Sequence, residues 1–172
     1  MKAKILQLRW LTILLALTVT MSSCEKEDVT VTESLTLKSS VIIPDDVCGA
    51  ESFTIWAGQS IDVGMVTIQK NDENIFISIE TSGNWKFQLS HVHIATTPEG
   101  IPSNKQGIPV PGKFMEQTPH TPPVSTFNYA FPNIYDIGQT IYIAVHLEAV
   151  KLDGMGEIVQ EETAWAGNEP GN

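Results

Sequence analysis

Two histidines one residue apart, in His91-Val92-His93, are the sharpest chemical pattern in the chain. On a β-strand, residues i and i+2 point to the same face a few ångströms apart, so such a pair can supply two ligands to one metal ion. A third imidazole lies in Tyr142-Ile143-Ala144-Val145-His146-Leu147-Glu148. The alternation of Ile141, Ile143, Val145 and Leu147 assigns those residues to a buried face and leaves His146 and Glu148 on the other. If the two strands are neighbours, His91, His93 and His146 converge with a carboxylate beside them. That donor set suits zinc or copper. Lone strand histidines otherwise act as hydrogen-bonded fillers, and no other cofactor is implied.

The strand that carries the pair changes phase. Trp85, Phe87 and Leu89 put their apolar face on odd numbers, whereas Val92 and Ile94 put it on even ones. A bulge near Ser90 reconciles the two halves and turns both histidines away from the core; without it they continue the buried face beside Leu89. Trp85 is expected in the core. Trp56 and Trp165, nearer to turns, are candidates for stacking against a sugar ring, or for ordinary packing. Serine-nucleophile elbows, phosphate loops and metalloprotease helices are absent from the sequence, so a binding role is expected ahead of catalysis.

Charge narrows the partners. The chain has 20 acidic and 10 basic residues. Its first 23 residues hold three of the basic ones, Lys2, Lys4 and Arg9, and no acid, so removing them leaves a net charge of −13 and no arginine. Arginine is the usual fork for phosphate, and a basic patch is what nucleic acid requires, so nucleic acid is not an expected partner. A neutral glycan or a protein is compatible with an acidic surface.

The same first residues read as a signal peptide over 1–23. A basic head precedes an apolar stretch from Trp10 to Val19, which is shorter than the roughly 20 residues of a membrane span. Met21-Ser22-Ser23-Cys24 resembles a bacterial lipobox, with Met21 in place of the usual Leu. Lys26, Glu27 and Asp28 resemble the surface-export signal of Bacteroidota lipoproteins. These resemblances imply lipid attachment at Cys24, outer-membrane anchoring and a body that faces the cell exterior. Two or more acyl chains would hold it there, since each buried methylene contributes roughly 0.8 kcal/mol and one chain anchors only marginally. Residues 24–34 then form a lipidated acidic tether. Cys48 is left without an internal disulfide partner, and a buried thiol is the expected state.

The folded part is expected from Leu35 to Ala166, with 167–172 as a disordered tail. Short β-branched and aromatic runs at 35–43, 52–57, 61–69, 74–81, 85–96, 125–131, 139–150 and 157–165 read as strands, and no window has helical periodicity. Turn residues in 70–74, 81–84 and 152–156 make hairpins. Eight close-spaced strands predict an all-β domain, a single antiparallel β-sandwich. The Asp153-Gly154 corner reads as a turn rather than a calcium loop, because it lacks alternating oxygen ligands. Seven prolines in 97–124 argue against a central strand there and for a long loop, either a binding loop or a mobile one.

A broader likeness runs from Cys48 to Ala166. Ala57-Gly58-Gln59, Trp85 with His91, Ile101-Pro102 with Gly107, Pro109 and Pro111-Gly112, Ala144-Val145-His146 and Glu162-Thr163-Ala164-Trp165 resemble an uncharacterised family of Bacteroidota secreted β-rich domains marked by the Glu-Thr-Ala-Trp stretch. His91 and His146 fall on its recurrent histidine positions, while His93 stands where an aromatic residue is usual. The resemblance implies a β-rich fold and carries no biochemical activity.

Overall fold

Alternating apolar and polar residues between tight turns build eight strands, and a computed structural model describes them over residues 40–167. They are β1 Cys48–Ala57, β2 Ile61–Lys70, β3 Asn74–Thr81, β4 Trp85–Ala95, β5 Glu116–Val124, β6 Thr126–Pro132, β7 Tyr142–Leu152 and β8 Ile158–Gly167. The predicted signal peptide, Cys24, the Lys26-Glu27-Asp28 signal, the tether and residues 35–39 and 168–172 lie outside the described residues. Gly167, expected in the tail, ends β8 instead.

The turn at 81–84 forms, but the strands it joins do not pair, because β3 lies between β2 and β6 and β4 between β5 and β7. The other two expected hairpins form, β2 with β3 and β7 with β8. In the last, Asp153 Oδ1 accepts the backbone N–H groups of Met155 at 2.8 Å and Glu157 at 3.0 Å. Hydrogen bonds from backbone amides hold its carboxyl below the usual range. The acidic corner is therefore a side-chain-closed turn.

All eight strands are antiparallel members of one sheet in the order β5-β4-β7-β8-β1-β2-β3-β6. No second sheet faces it among the described residues, so the expected sandwich becomes one strongly curved, nearly closed barrel. The pairings that close it are long-range: β4 with β7, β1 with β8 and β3 with β6. Apolar side chains point inward, the reverse of a membrane-spanning barrel with a polar lumen. Ile55, Val66, Ile77, Ile79, Phe87, Val92 and Leu147 are buried almost completely.

The proline-rich segment corrects the sequence reading. Its first part is irregular, with single helical turns at Pro98–Gly100 and Pro111–Lys113. Its second part is β5, an edge strand that pairs with β4 alone among the described strands. An edge is where a strand can carry Pro119, Pro122 and Pro123 without losing ladder donors it needs. The other sheet edge, β6, meets the N-terminal residues: Val41 N–H donates to Asn128 O at 3.1 Å, and Asn128 Nδ2 donates to Val41 O at 3.0 Å. Residues 40–43 lie in no strand, so the described part of the predicted 35–43 strand does not form one.

Turn length divides the barrel into two ends. At one end the chain reverses only through short connections, after Ala57, Thr81, Val124 and Leu152. At the other lie the long segments 96–115 and 133–141, the N-terminal approach to β1 and the short β2–β3 turn.

Candidate functional site

Backbone register collects four of the candidate residues into one line. His91 pairs directly with His146, His146 with Trp165, and Trp165 with Trp56. Directly opposed residues share a face, so these side chains form a row across β4, β7, β8 and β1 on the outside of the barrel. The expected bulge exists, two residues earlier than predicted: Phe87 opposes Ala149 and Leu89 opposes Glu148, which leaves Gln88 as the extra residue. Downstream of it, Ser90, Val92 and Ile94 face the core and both histidines of the pair face out.

Outward does not mean exposed here. The 96–115 segment folds back over this face, and Phe114, itself buried, packs 6.2 Å from Trp165 and 5.6 Å from His93 between ring centroids. Met115 N–H donates to His93 Nδ1 at 3.1 Å. His91 and His146 are buried, with their Nδ1 atoms 3.2 Å apart, so one ring donates and the other accepts. Burial lowers the pKa of both. For His91 the nearby Glu148 charge opposes this; for His146 the neighbouring His91 adds to it and the value falls to about 4.

The pair is thus a neutral hydrogen-bonded filler at neutral pH. Its nitrogen separation also fits two ligands on one tetrahedral ion, but a lasting site needs three or four protein ligands. Among the described residues no group of three or more His, Cys, Asp and Glu converges on one point. His93 is spent on Met115. Trp165 is half-buried against His146 at 4.6 Å, and half-buried Trp56 donates Nε1–H to Gly167 O at 3.3 Å.

A second polar group lies inside the barrel at the middle of β4, β5 and β6. Ser90 Oγ sits 2.8 Å from His120 Nε2 and 2.6 Å from the Tyr129 hydroxyl. With one proton of its own, Ser90 can donate to only one of the two, and it accepts from at least one of them. The His120 ring packs at 4.9 Å on Phe87 and 4.7 Å on Phe127. Burial lowers the His120 pKa to about 4 and raises that of Tyr129. Such a closed chain, walled by aromatic rings, fills the core.

The open feature is at the long-loop end. A cavity of about 670 Å³ opens between the starts of β1, β3 and β7 and the ends of β2 and β8, beneath the 133–141 segment. Its wall is apolar: Phe53, Val66, Ile68, Ile75, Ile143 and Val145 point into it from successive strands. Its rim is polar, with Glu51, Lys70, Asp72 and Asp136 all exposed. Cys48 lies on this rim as an exposed free thiol, not buried as the sequence suggested. It stands at the first residue of β1, where the strand has not yet entered the packed barrel.

No family model, curated protein or solved structure matches this chain.

None of the histidines or tryptophans singled out by residue type lines the cavity, though the sequence carried a signal for it. Inward positions toward the short-turn end include Trp85, Phe87 and Phe127 beside small residues such as Ala57, Ala149 and Ala164, whereas those that line the mouth are mostly aliphatic or small, such as Val66, Ile68, Ile143 and Ala166. Eight strands enclose an interior that bulky side chains fill and smaller ones leave partly empty.

Proposed function

We propose that this domain is a non-catalytic binding module, held at the outer membrane by lipid on Cys24 and facing the cell exterior, and that it binds a small ligand in the barrel mouth. The mouth cavity carries the reading. Its size falls within the 300–1,000 Å³ of typical small-molecule sites, about 670 Å³ here, and it combines an apolar wall with a few polar groups at the entrance. The mouths of β-barrels are common places for such sites.

The titratable groups with shifted pKa support binding over catalysis by their position. His91 and His146 are buried against each other on the outer face, with Trp165 beside His146, and His120 packs between aromatic rings, so none of the three lines the cavity. Trp56 and Trp165 lie in the outer row, which turns the ligand reading away from sugar stacking and toward an apolar molecule.

Nile red, a neutral dye that fluoresces in apolar surroundings, tests this. The protein is expected to take it up saturably at one site, and Ile143→Trp, which fills the cavity, is expected to abolish uptake while the β-sheet circular dichroism stays unchanged. Uptake unaffected by that substitution, or absent from the parent protein, overturns the reading. For the location, palmitate labelling lost in Cys24→Ala and digestion of the body by external protease on intact cells are the expected results.

A further inference from the structure

The rim of the mouth is charged unevenly. Among the described residues, three carboxylates, Glu51, Asp72 and Asp136, line it with a single cation, Lys70. They come from β1, the β2–β3 turn and the 133–141 segment, so they stand around the opening rather than on one side of it. Behind them, Asp46 bonds to Asn71 at 3.3 Å and adds a further negative charge close to the entrance. The wall below is aliphatic, with Phe53 and Tyr135 contributing aromatic rings, whose faces attract cations.

We propose that the cavity takes a cationic amphiphile: an aliphatic body seated against Ile68, Ile75, Ile143 and Val145, and an amine-type head held at the rim by Glu51, Asp72 and Asp136. This rests on the mouth being a binding site and adds the chemistry of what enters it. The sorting works by charge. A low-dielectric wall beneath a ring of one sign concentrates counter-ions at the entrance, and an anionic head must approach three carboxylates with only one lysine to offset them. Removing water from the body supplies the affinity, in proportion to the apolar area covered. The head decides which bodies are admitted.

Three probes with the same tail and different heads separate these contributions: decylamine, decanol and decanoate, each competing with Nile red below its micelle concentration. Decylamine is expected to bind tightest, about tenfold tighter than decanoate at low salt, with decanol between them. The preference is expected to shrink as salt is raised. The triple variant Glu51→Gln, Asp72→Asn, Asp136→Asn is expected to bring decylamine and decanoate close together while decanol binding stays the same. Ile143→Trp, with Ile68→Trp as a second filling variant should the first not fold, is expected to remove all three. If decanoate or decanol binds tightest, or the triple variant leaves the order unchanged, the cationic inference is wrong while the binding mouth stands. If no probe binds, both are wrong.

Discussion

The two ends of the barrel interior are built from the same alternation and reach opposite outcomes. From the short-turn end to mid-barrel, Trp85, Phe87, Phe127 and the Ser90–His120–Tyr129 chain fill the interior. The Ser90 and Tyr129 hydroxyls and His120 Nε2 bond within that chain. At the long-loop end, Val66, Ile68, Ile143 and Val145 leave about 670 Å³ between them, and the connections above carry charge. Burial of apolar surface shapes both ends, and the volume of the inward side chain decides whether that burial completes a core or prepares a site. Stability should therefore reside at the first end and binding at the second.

Truncating one aromatic residue at each end breaks or supports that division. Phe87→Ala removes a side chain with no exposure from a packed interior and is expected to destabilise by about 3–5 kcal/mol. Phe53→Ala, on a half-buried residue already facing the cavity, is expected to cost about 1 kcal/mol or less while changing dye uptake severalfold. Urea denaturation of both variants reads the difference. Equal losses would show that the mouth is structural too.

Acid sharpens the comparison next. His120 titrates near 4 in the folded protein against about 6.5 when unfolded, so between those values the unfolded chain binds more protons. Its contribution is fully present above pH 6.5 and is lost as pH falls toward 4, on the order of 3 kcal/mol in all. His146 on the outer face has the same sign and window. His120→Gln can still hydrogen-bond to Ser90 but cannot take up the proton. It is expected to flatten the fall in melting temperature between pH 7 and 4, and an unchanged slope would exclude His120 as the titrating group.

A smaller effect is expected for the outer row. His146→Ala leaves the buried His91 nitrogen without its partner and should cost about 1–3 kcal/mol. Dye uptake should be unchanged, because the row lies on the other side of the sheet. The smallest effect on stability is expected at Cys48. A bulky maleimide should react with its exposed thiol without lowering the melting temperature, yet reduce dye uptake by crowding the mouth, with Cys48→Ser as the unreactive control.

The strands themselves were legible from sequence, because alternation and turn chemistry are local. Seven of the eight follow from patterns such as Ile75-Ile77-Ile79 and the turns at 70–74, 81–84 and 152–156. β5 was hidden by Pro119, Pro122 and Pro123, which a strand tolerates only at an edge, and edge position is a property of the assembled sheet. Closure depends on β1 meeting β8 and β3 meeting β6, contacts between distant segments that no local pattern encodes. The bulge was readable from the phase change between Leu89 and Val92. The covering of His93 was not, since Phe114 arrives from the segment that reads as a long loop. The small inward side chains toward the mouth were the only local trace of the cavity, because an empty volume is defined by side chains from several strands at once.

Methyl NMR of the isoleucines, recorded while decylamine is titrated in, measures most directly where a ligand sits. A binding mouth predicts concentration-dependent shifts at the methyl groups of Ile68, Ile75 and Ile143, which line it, with Ile55 and Ile79 in the filled interior moving little. Unmoved mouth methyls, with changes instead at Trp56 and Trp165 on the outer row, would contradict it.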